Sequence, residues 1–264
     1  MNSFQQLLAR AGGEPPVGTW VMSASPLVAE AVGCAGYDWG VVDMEHTPID
    51  LMTLVHMLQA VAGTKMLPVV RVPWNDTVGL KRVLDAGAQT LLIPFVQDAD
   101  EARAAVAACR YPPEGIRGMA GMSRASRFGT APHYLTTANQ GISVIVQLET
   151  PAAIERVDEI AAIDGVDALF VGPGDLSATM GHVGQLTHPD VLALTRQVVA
   201  RAKALGKPIG TVGGTPEVVA LYREMGFDFV AIASDLGFLM RAAQAALGTI
   251  RQTPHTPSAP QGAY

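Results

Sequence analysis

The fold class of this chain is indicated most clearly by the stretch Ile142-Ser-Val-Ile-Val-Gln-Leu-Glu-Thr-Pro151. Its first part is a continuous run of β-branched and apolar residues, which is typical of a strand buried on both faces in a parallel sheet. Pro151 and the alanine-rich segment behind it predict a helix, because proline is well placed in a first helical turn. Glu149 is therefore expected at the carboxyl end of a buried strand, the end that carries the chemistry in α/β folds.

Strand-like and helix-like segments alternate along the whole chain. Seven further strands are predicted, at residues 17–22, 38–43, 66–71, 90–95, 168–171, 207–211 and 227–233. Eight strands with helical crossovers predict a single-domain α/β fold, a (β/α)8 TIM barrel over residues 1–251, with a short amphipathic helix at its N-terminus. An open doubly wound sheet is the alternative, although no Gly-x-Gly-x-x-Gly motif follows the first strand. The tail, 252–264, is rich in Pro, Ser, Thr and Gly and is predicted to be mobile.

The composition argues against several classes of protein. The 264 residues, of which 49% are apolar, suit one barrel of about 250 residues with a large core. A net charge of −6 argues against a nucleic-acid partner, and no apolar window is long enough to span a membrane. The two cysteines, Cys34 and Cys109, form no CxxC motif, and we interpret them as buried free thiols of a cytoplasmic protein.

A second carboxylate follows the next predicted strand. The segment Asp167-Ala-Leu-Phe-Val171 leads into the turn Gly172-Pro-Gly-Asp-Leu-Ser177, so Asp175 lies just past a strand end. Together with Glu149 it predicts a site for one hard divalent cation, because such ions prefer oxygen ligands. The alternative is that Glu149 is a polar strand terminus and Asp175 a helix cap.

Other polar residues are predicted at the same end of the barrel. His46 follows the second strand, and we interpret it as a general base, a metal ligand or a hydrogen-bonding loop residue. Asp43 is expected to orient His46 or to contact other site residues without touching the ligand. Glu45 is expected to be structural. Arg71 ends the third strand, where a buried guanidinium needs an anionic partner. That partner is either an oxygen of a ligand or enolate, or a neighbouring acid such as Asp43.

Three further features bear on the site. Asp85 lies near a predicted helix C-terminus, where the helix dipole disfavours a negative charge, so it needs a partner. The base histidine is one candidate, yet that end of the helix should point toward the opposite end of the barrel. None of the four lysines is expected at the catalytic end, which argues against a Schiff base. The long connection at 111–140 is interpreted as a lid, a binding loop or a subunit contact.

Several ordered motifs occur between residues 17 and about 246. They are Val-Val-Asp-Met-Glu-His46, Val-Arg-Val-Pro73, Leu-Asp-Ala-Gly-Ala88, Gly-Ile-Arg-Gly118, Arg-Ala-Ser-Arg127, Gln-Leu-Glu149 and Phe-Val-Gly-Pro-Gly-Asp-Leu-Ser177. Together they resemble the HpcH/HpaI aldolase family of class II pyruvate aldolases. The resemblance implies reversible cleavage of 4-hydroxy-2-oxo acids to an aldehyde and pyruvate, or a related 2-oxo acid such as hydroxypyruvate.

The resemblance also implies a cofactor and an assembly. Glu149 and Asp175 are implied to hold a divalent metal cation, Mg²⁺, Mn²⁺ or Co²⁺, which chelates the 2-oxo acid. The implied assembly is a homo-hexamer, a trimer of dimers, with sites near the subunit contacts. Two rival functions are a citryl-lyase-like acyl-CoA lyase on the same scaffold and a non-catalytic barrel that binds a 2-oxo acid.

Roles for individual residues follow from the same resemblance. Gln147 and the backbone at Gly174 and the following aspartate are implied to bind the 2-oxo acid. His46 is implied to be the base, directly or through a water. Arg71 is implied to stabilise the enolate and the keto oxygen, and Asp85 to raise the basicity of the histidine.

Overall fold

Eight parallel strands close into a barrel in which each strand is hydrogen-bonded to its neighbours in sequence and the last strand to the first. The protein is seen in a computed structural model that describes residues 1–252. The predicted (β/α)8 barrel is therefore confirmed, and the open sheet is excluded. The predicted mobile tail lies outside the described residues, apart from Gln252, where the last helix ends.

The elements alternate as the sequence pattern predicts, after a short N-terminal helix. The strands are β1 (Val17–Val21), β2 (Trp39–Asp43), β3 (Leu67–Arg71), β4 (Thr90–Ile93), β5 (Ser143–Leu148), β6 (Ala168–Val171), β7 (Ile209–Gly213) and β8 (Phe229–Ser234). The helices are α1 (Ser3–Arg10), α2 (Pro26–Cys34), α3 (Leu51–Val61), α4 (Thr77–Asp85), α5 (Ala99–Cys109), α6 (Tyr134–Gly141), α7 (Pro151–Glu155), α8 (Val157–Ala161), α9 (Pro173–Thr179), α10 (Pro189–Ala204), α11 (Pro216–Glu224) and α12 (Asp235–Gln252).

Some strand bounds differ from the prediction by up to two residues, and one helix was not predicted. Strand β7 begins at Ile209, two residues late, because Pro208 has no N–H to contribute to the strand ladder. Helix α6 lies in the long connection at 111–140, for which the sequence predicts no helix. Its sequence is rich in Thr, Asn and Gly, which favour helices weakly, and no side chain caps its start. Burial of Ala138, rather than local propensity, favours this helix.

Aromatic rings fill the interior of the barrel. Trp20, Trp39, Phe170 and Phe229 form one cluster with ring centroids 5.5–6.5 Å apart. Phe4 of α1 is fully buried and lies edge-on to the Phe229 ring at 5.1 Å. The N-terminal helix therefore closes the end of the barrel at which the strands begin, and the interior is a packed core rather than a channel.

Three aspartates tie the strands together at that same end. Asp38, Asp167 and Asp228 each stand before a strand, and each accepts a hydrogen bond of 2.8–2.9 Å from a backbone amide at the start of the preceding strand. We call these contacts the aspartate clamps. They join β1 to β2, β5 to β6 and β7 to β8.

The two cysteines differ in their surroundings. Cys109 is buried and free, and burial raises the pKa of its thiol to about 12. The interpretation of both thiols as buried is wrong for Cys34, which is free but exposed at the end of α2. That helix turns Ala29 and Gly33 toward the barrel, so the position next to Gly33 faces outward. Within residues 1–252, no helix combines the length and the apolar character needed to cross a bilayer.

Candidate active site

A pocket of about 350 Å³ opens at the carboxyl ends of the strands. That volume is within the usual range for small-molecule sites. Aromatic rings of the barrel interior form its floor, and loops after the strands form its walls. Five of the predicted site residues line it: His46, Arg71, Gln147, Gly174 and Asp175.

Two carboxylates meet at the edge of this pocket. Glu149 follows β5 and is 1% exposed, and its side chain is in hydrogen-bond contact with that of Asp175 in the first turn of α9. The backbone N–H of Phe95 donates to Glu149 Oε1 at 3.1 Å. The pKa of Glu149 is raised to about 8, mainly because the side chain is buried and also because it contacts Asp175. Two touching carboxylates repel each other when both are charged, so the pair needs either a shared proton or a cation.

The space around this pair is shaped for a ligand. A Cβ at Gly172 would lie 2.8 Å from Gln147 Nε2 and 2.8 Å from Glu149 Cγ, so only glycine allows the two side chains to sit as they do. Gln147 is 3% exposed, and its Oε1 atom is buried without a hydrogen-bond partner in residues 1–252. Buried polar atoms are normally paired, so this oxygen points to a missing partner. Carboxylate oxygens are also the donors that a hard divalent cation prefers, and the residues therefore fit the predicted cation.

Arg71 is held by two acids. Its Nε and Nη2 atoms donate to the two oxygens of fully buried Asp43 at 2.9 and 2.7 Å. Its Nη1 atom lies 2.9 Å from Glu45 Oε2, and its guanidinium lies over the ring of Trp20 at 5.5 Å. The ion pair with Asp43, one of the two expected alternatives, is thus present, while Arg71 still borders the pocket. Glu45, expected to be structural only, is the second acid on this arginine.

His46 stands at the rim of the pocket. Its side chain is 59% exposed, and Nε2 lies 3.8 Å from Glu45 Oε2. The carboxylate of Asp43 accepts from the backbone amides of Glu45 at 3.1 Å and His46 at 3.5 Å. Asp43 therefore orients the loop that carries the histidine. Among the described residues, no hydrogen bond joins its carboxylate to the imidazole ring.

Asp85 is not brought to this pocket within one chain. It ends α4, which runs antiparallel to the strands, so it lies at the end of the barrel where the strands begin. Its Oδ1 atom accepts from Nη2 of fully buried Arg117 at 2.7 Å, and that guanidinium lies over the ring of Tyr111 at 4.4 Å. The partner of Asp85 in this structure is therefore Arg117 and not His46. A contact with a histidine would have to come from another subunit.

Sequence reasoning missed several residues that shape the pocket. Phe95 and Ala233 have φ values of 57° and 49°, a strained region for residues other than glycine, and both adjoin the site. Asp235, 6% exposed, accepts from the backbone amides of Met22 and Ser23 and so ties the loop after β1 to the end of β8. The only signal for the first two is their place at a strand end.

Arg241 of α12 also lines the pocket and was missed. It lies two helical turns beyond β8, in a segment with no motif around it. An arginine in an amphipathic helix usually faces solvent, so nothing in the sequence sets this one apart.

Another group of possible metal ligands lies on the loop between α9 and α10. One atom each from His182, His188 and Asp190 falls within 4.8 Å of the others. The two rings are stacked, with centroids 3.5 Å apart and planes 16° from parallel. Ring lone pairs in nearly parallel planes do not converge on one point, so this group suits a shared cation less well than the carboxylate pair does.

The comparisons with known proteins agree with the motifs. A family model described as HpcH/HpaI aldolase/citrate lyase matches residues 17–242. The chain belongs to this family. The resemblance seen in the sequence is thus confirmed, and the aldolases of the HpcH/HpaI family are carbon–carbon lyases, so the chain is an enzyme of this type.

Individual HpcH/HpaI relatives are similar over nearly their whole length. A 2-dehydro-3,6-dideoxy-6-sulfogluconate aldolase of Pseudomonas putida is 52% identical over 241 residues, which are 90% of this chain and 94% of the relative. A 5-keto-4-deoxy-D-glucarate aldolase of Salmonella arizonae is 46% identical over 251 residues, 95% of this chain and 97% of the relative. The crystal structure of a family protein from Burkholderia cenocepacia J2315 has a TM-score of 0.91 at 43% identity, covering 96% of this chain and 100% of that one.

Proposed function

We propose that the chain is a divalent-metal-dependent aldolase that reversibly cleaves 4-hydroxy-2-oxo acids to an aldehyde and pyruvate, or a close relative of pyruvate. The observation that carries this proposal is the contact of buried Glu149 with Asp175 at the pocket, beside the unpaired oxygen of Gln147. Such a pair has little use in a structural role, because it leaves a carboxylate with a pKa of about 8 in the wall of a pocket.

The first part of the mechanism is the binding of the 2-oxo acid. Glu149 and Asp175 would hold Mg²⁺, Mn²⁺ or Co²⁺, whose charge polarises a keto oxygen when the ion is bound. The backbone amides of Gly174 and Asp175 lie in the first turn of α9, where N–H groups have no partner within the helix. They can bind the carboxylate of the 2-oxo acid, and the side chain of Gln147 can bind beside it.

The second part is the movement of a proton and an electron pair. In the cleavage direction, a ring nitrogen of His46 takes the proton of the C4 hydroxyl group and the C3–C4 bond breaks. The electron pair of that bond passes to the enolate of pyruvate, and the aldehyde is released. The enolate then takes a proton at C3, and synthesis follows the reverse order. Arg71, held by Asp43 and Glu45, stabilises the negative oxygen in a fixed orientation.

No lysine competes for this chemistry. Lys65 and Lys207 precede strands, and Lys81 and Lys203 lie in helices, so all four are away from the pocket residues. This placement supports polarisation by a cation in place of a covalent imine.

The proposal is tested by removing the cation. Treatment with EDTA should abolish aldol cleavage, and Mg²⁺, Mn²⁺ or Co²⁺ should restore it. The Glu149→Ala variant should lose bound metal when its metal content is measured by mass spectrometry, and His46→Ala should slow the exchange of pyruvate methyl protons in D2O. Full activity after chelation, or trapping of pyruvate on a lysine by borohydride, would overturn the proposal.

The substrate is proposed from the named activities of the relatives. Sulfogluconate and glucarate derivatives are both sugar acids with a second anionic group at the end remote from C1. We therefore place the substrate of this chain among 2-oxo-3-deoxy sugar acids of this kind. A panel of aldehydes, crossed with pyruvate and hydroxypyruvate under each metal, identifies the preferred pair. An assay with CoA thioesters separates this activity from that of a citryl-lyase-like enzyme.

Exposed apolar side chains support the proposed homo-oligomer. Monomers rarely expose large apolar patches. On α12 and on the connection before α6, the exposed apolar side chains are Leu236, Leu239, Met240, Leu247, Ile250, Ile116, Met119, Met122 and Phe128. A hexamer should give six times the chain mass of 27.7 kDa in light scattering. In such an assembly Asp85 of one subunit could meet a histidine of another, and the free thiols suit a cytoplasmic location.

A further inference from the structure

The two arginines of the pocket differ in their charge balance. Arg71 faces two carboxylates, so its positive charge is neutralised within the protein. Arg241, in contrast, forms no ion pair with an Asp or Glu side chain among residues 1–252, and its contacts are with a backbone oxygen and a ring. Its Nη1 atom donates to the backbone oxygen of Gly214 at 3.3 Å, and its guanidinium lies over the Phe238 ring at 5.2 Å. A guanidinium has five N–H donors, so most of its hydrogen-bonding capacity is unused.

Arg241 also stands on a different wall from the carboxylate pair. It comes from α12, which follows β8, and its neighbours along the pocket are Gly214 after β7 and Ser234 at the end of β8. Glu149 and Asp175 come from the loops after β5 and β6. The pocket is therefore negative on one wall, where the 2-oxo acid end is proposed to bind, and positive on another.

The part of the pocket between these walls is mostly apolar. Trp20, Phe170 and Val212 line it. An extended acid with its 2-oxo end at the carboxylate pair would pass these side chains and present its other end to the guanidinium. The cavity of about 350 Å³ restricts the occupant to a small molecule.

We propose that Arg241 binds a terminal oxyanion, a carboxylate or a sulfonate, on the aldehyde half of the substrate. This inference rests on the proposed function, since it assigns the remote end of the same ligand. The planar guanidinium offers paired N–H donors that match two oxygens of such a group. Arg241 is accordingly a specificity-determining residue: it selects anionic over neutral aldehydes and takes no part in the proton transfer at the 2-oxo end.

The test compares three aldehydes that differ only at the remote carbon: glyceraldehyde, tartronate semialdehyde and 3-sulfolactaldehyde. With pyruvate and saturating Mn²⁺, Arg241→Ala should lower kcat/KM for at least one anionic aldehyde about 10- to 100-fold, as expected for the loss of charge-assisted hydrogen bonds. The value for glyceraldehyde should change less than about threefold. Arg241→Lys keeps the charge but loses the paired donors. Its kcat/KM for the anionic aldehydes should therefore lie between those of the wild type and Arg241→Ala. The two anionic aldehydes distinguish a carboxylate from a sulfonate site.

Two controls make the outcome decisive. Arg251→Ala removes an arginine from the last turn of the same helix, away from the pocket, and should leave all three aldehydes unchanged. Free guanidinium ion should partly restore the anionic reaction of Arg241→Ala. Equal losses for all aldehydes, or no loss for any, would overturn the assignment. Exchange of pyruvate methyl protons in D2O should persist in Arg241→Ala; if the wild-type enzyme lacks this exchange, the proposed function itself fails.

Discussion

Replacing Gly172 by alanine should loosen the carboxylate site while leaving the barrel folded. The backbone at Gly172 has φ −88° and ψ 92°, which alanine adopts without strain. The added Cβ would lie 2.8 Å from Gln147 Nε2, 2.8 Å from Glu149 Cγ and 2.9 Å from Glu149 Cδ. Ordinary contact begins at 3.4 Å, so these side chains must retreat by about 0.6 Å.

The size of the effect follows from this displacement. A shift of 1 Å in an active site can cost about 10²-fold in rate, so a shift of this size should lower activity about 10- to 100-fold. Overpacking in a protein interior costs about 1–3 kcal/mol, which a barrel of this length tolerates. The assays are Mn²⁺ titration by calorimetry, aldol cleavage at saturating Mn²⁺, and thermal unfolding.

Two other glycines provide matched controls. At Gly141, at the end of α6, a Cβ meets nothing within 4 Å, so Gly141→Ala should change neither stability nor metal affinity. At Gly210, inside the barrel, a Cβ would lie 2.2 Å from the ring of Phe229, so Gly210→Ala should lower the unfolding temperature most. Wild-type metal affinity and turnover in Gly172→Ala would refute the argument that this glycine makes room for the site.

Four further predictions follow from burial and charge. In the metal-free protein Glu149 keeps its proton up to about pH 8, whereas an unfolded glutamate loses it near 4.5. Cation binding at pH 7 should therefore release close to one proton, measured by calorimetry in buffers of different ionisation enthalpy. By the same linkage the metal-free protein should lose stability as pH rises from about 4.5 to 8, because the folded state binds more protons there. Asp43→Asn breaks the buried ion pair and should cost about 3–5 kcal/mol in urea unfolding; Asp100→Asn, in an exposed pair with Arg103, should cost at most about 0.5 kcal/mol. Phe4→Ala should cost about 3–5 kcal/mol in the same unfolding assay and leave pyruvate proton exchange intact, since Phe4 closes the far end of the barrel.

The strands and the carboxylate pair could be predicted because their signals are local. A run of apolar, β-branched residues marks each strand, and the strand bounds agree with the structure to within two residues. Parallel strands end at one edge, so residues just after two neighbouring strands must lie close together. This inference predicts that Glu149 and Asp175 lie close together, and in the structure their side chains are in contact.

The partners of the other charged residues depend on register and on helix rotation. Asp43 pairs with Arg71 because these residues are directly opposite in the β2–β3 ladder, a fact that the sequence alone leaves open. Asp85 finds Arg117, 32 residues later, in the connection before α6. Arg241, on α12, lines the pocket although no motif around it indicates this. These contacts are set by tertiary packing, which local patterns do not encode.

The aspartate clamps have a consequence for how this enzyme can be altered. All of the clamps lie where strands begin, whereas the pocket lies where strands end. A five-residue strand is about 17 Å long, and this length separates the clamps from the pocket. Libraries that randomise the pocket walls would leave the clamps untouched, so the hydrogen bonds that join the starts of the strands should be retained in variants with new substrate ranges. The protein is therefore a candidate scaffold for directed evolution in which the clamps and the buried Asp43–Arg71 pair are kept and the exposed pocket residues are varied.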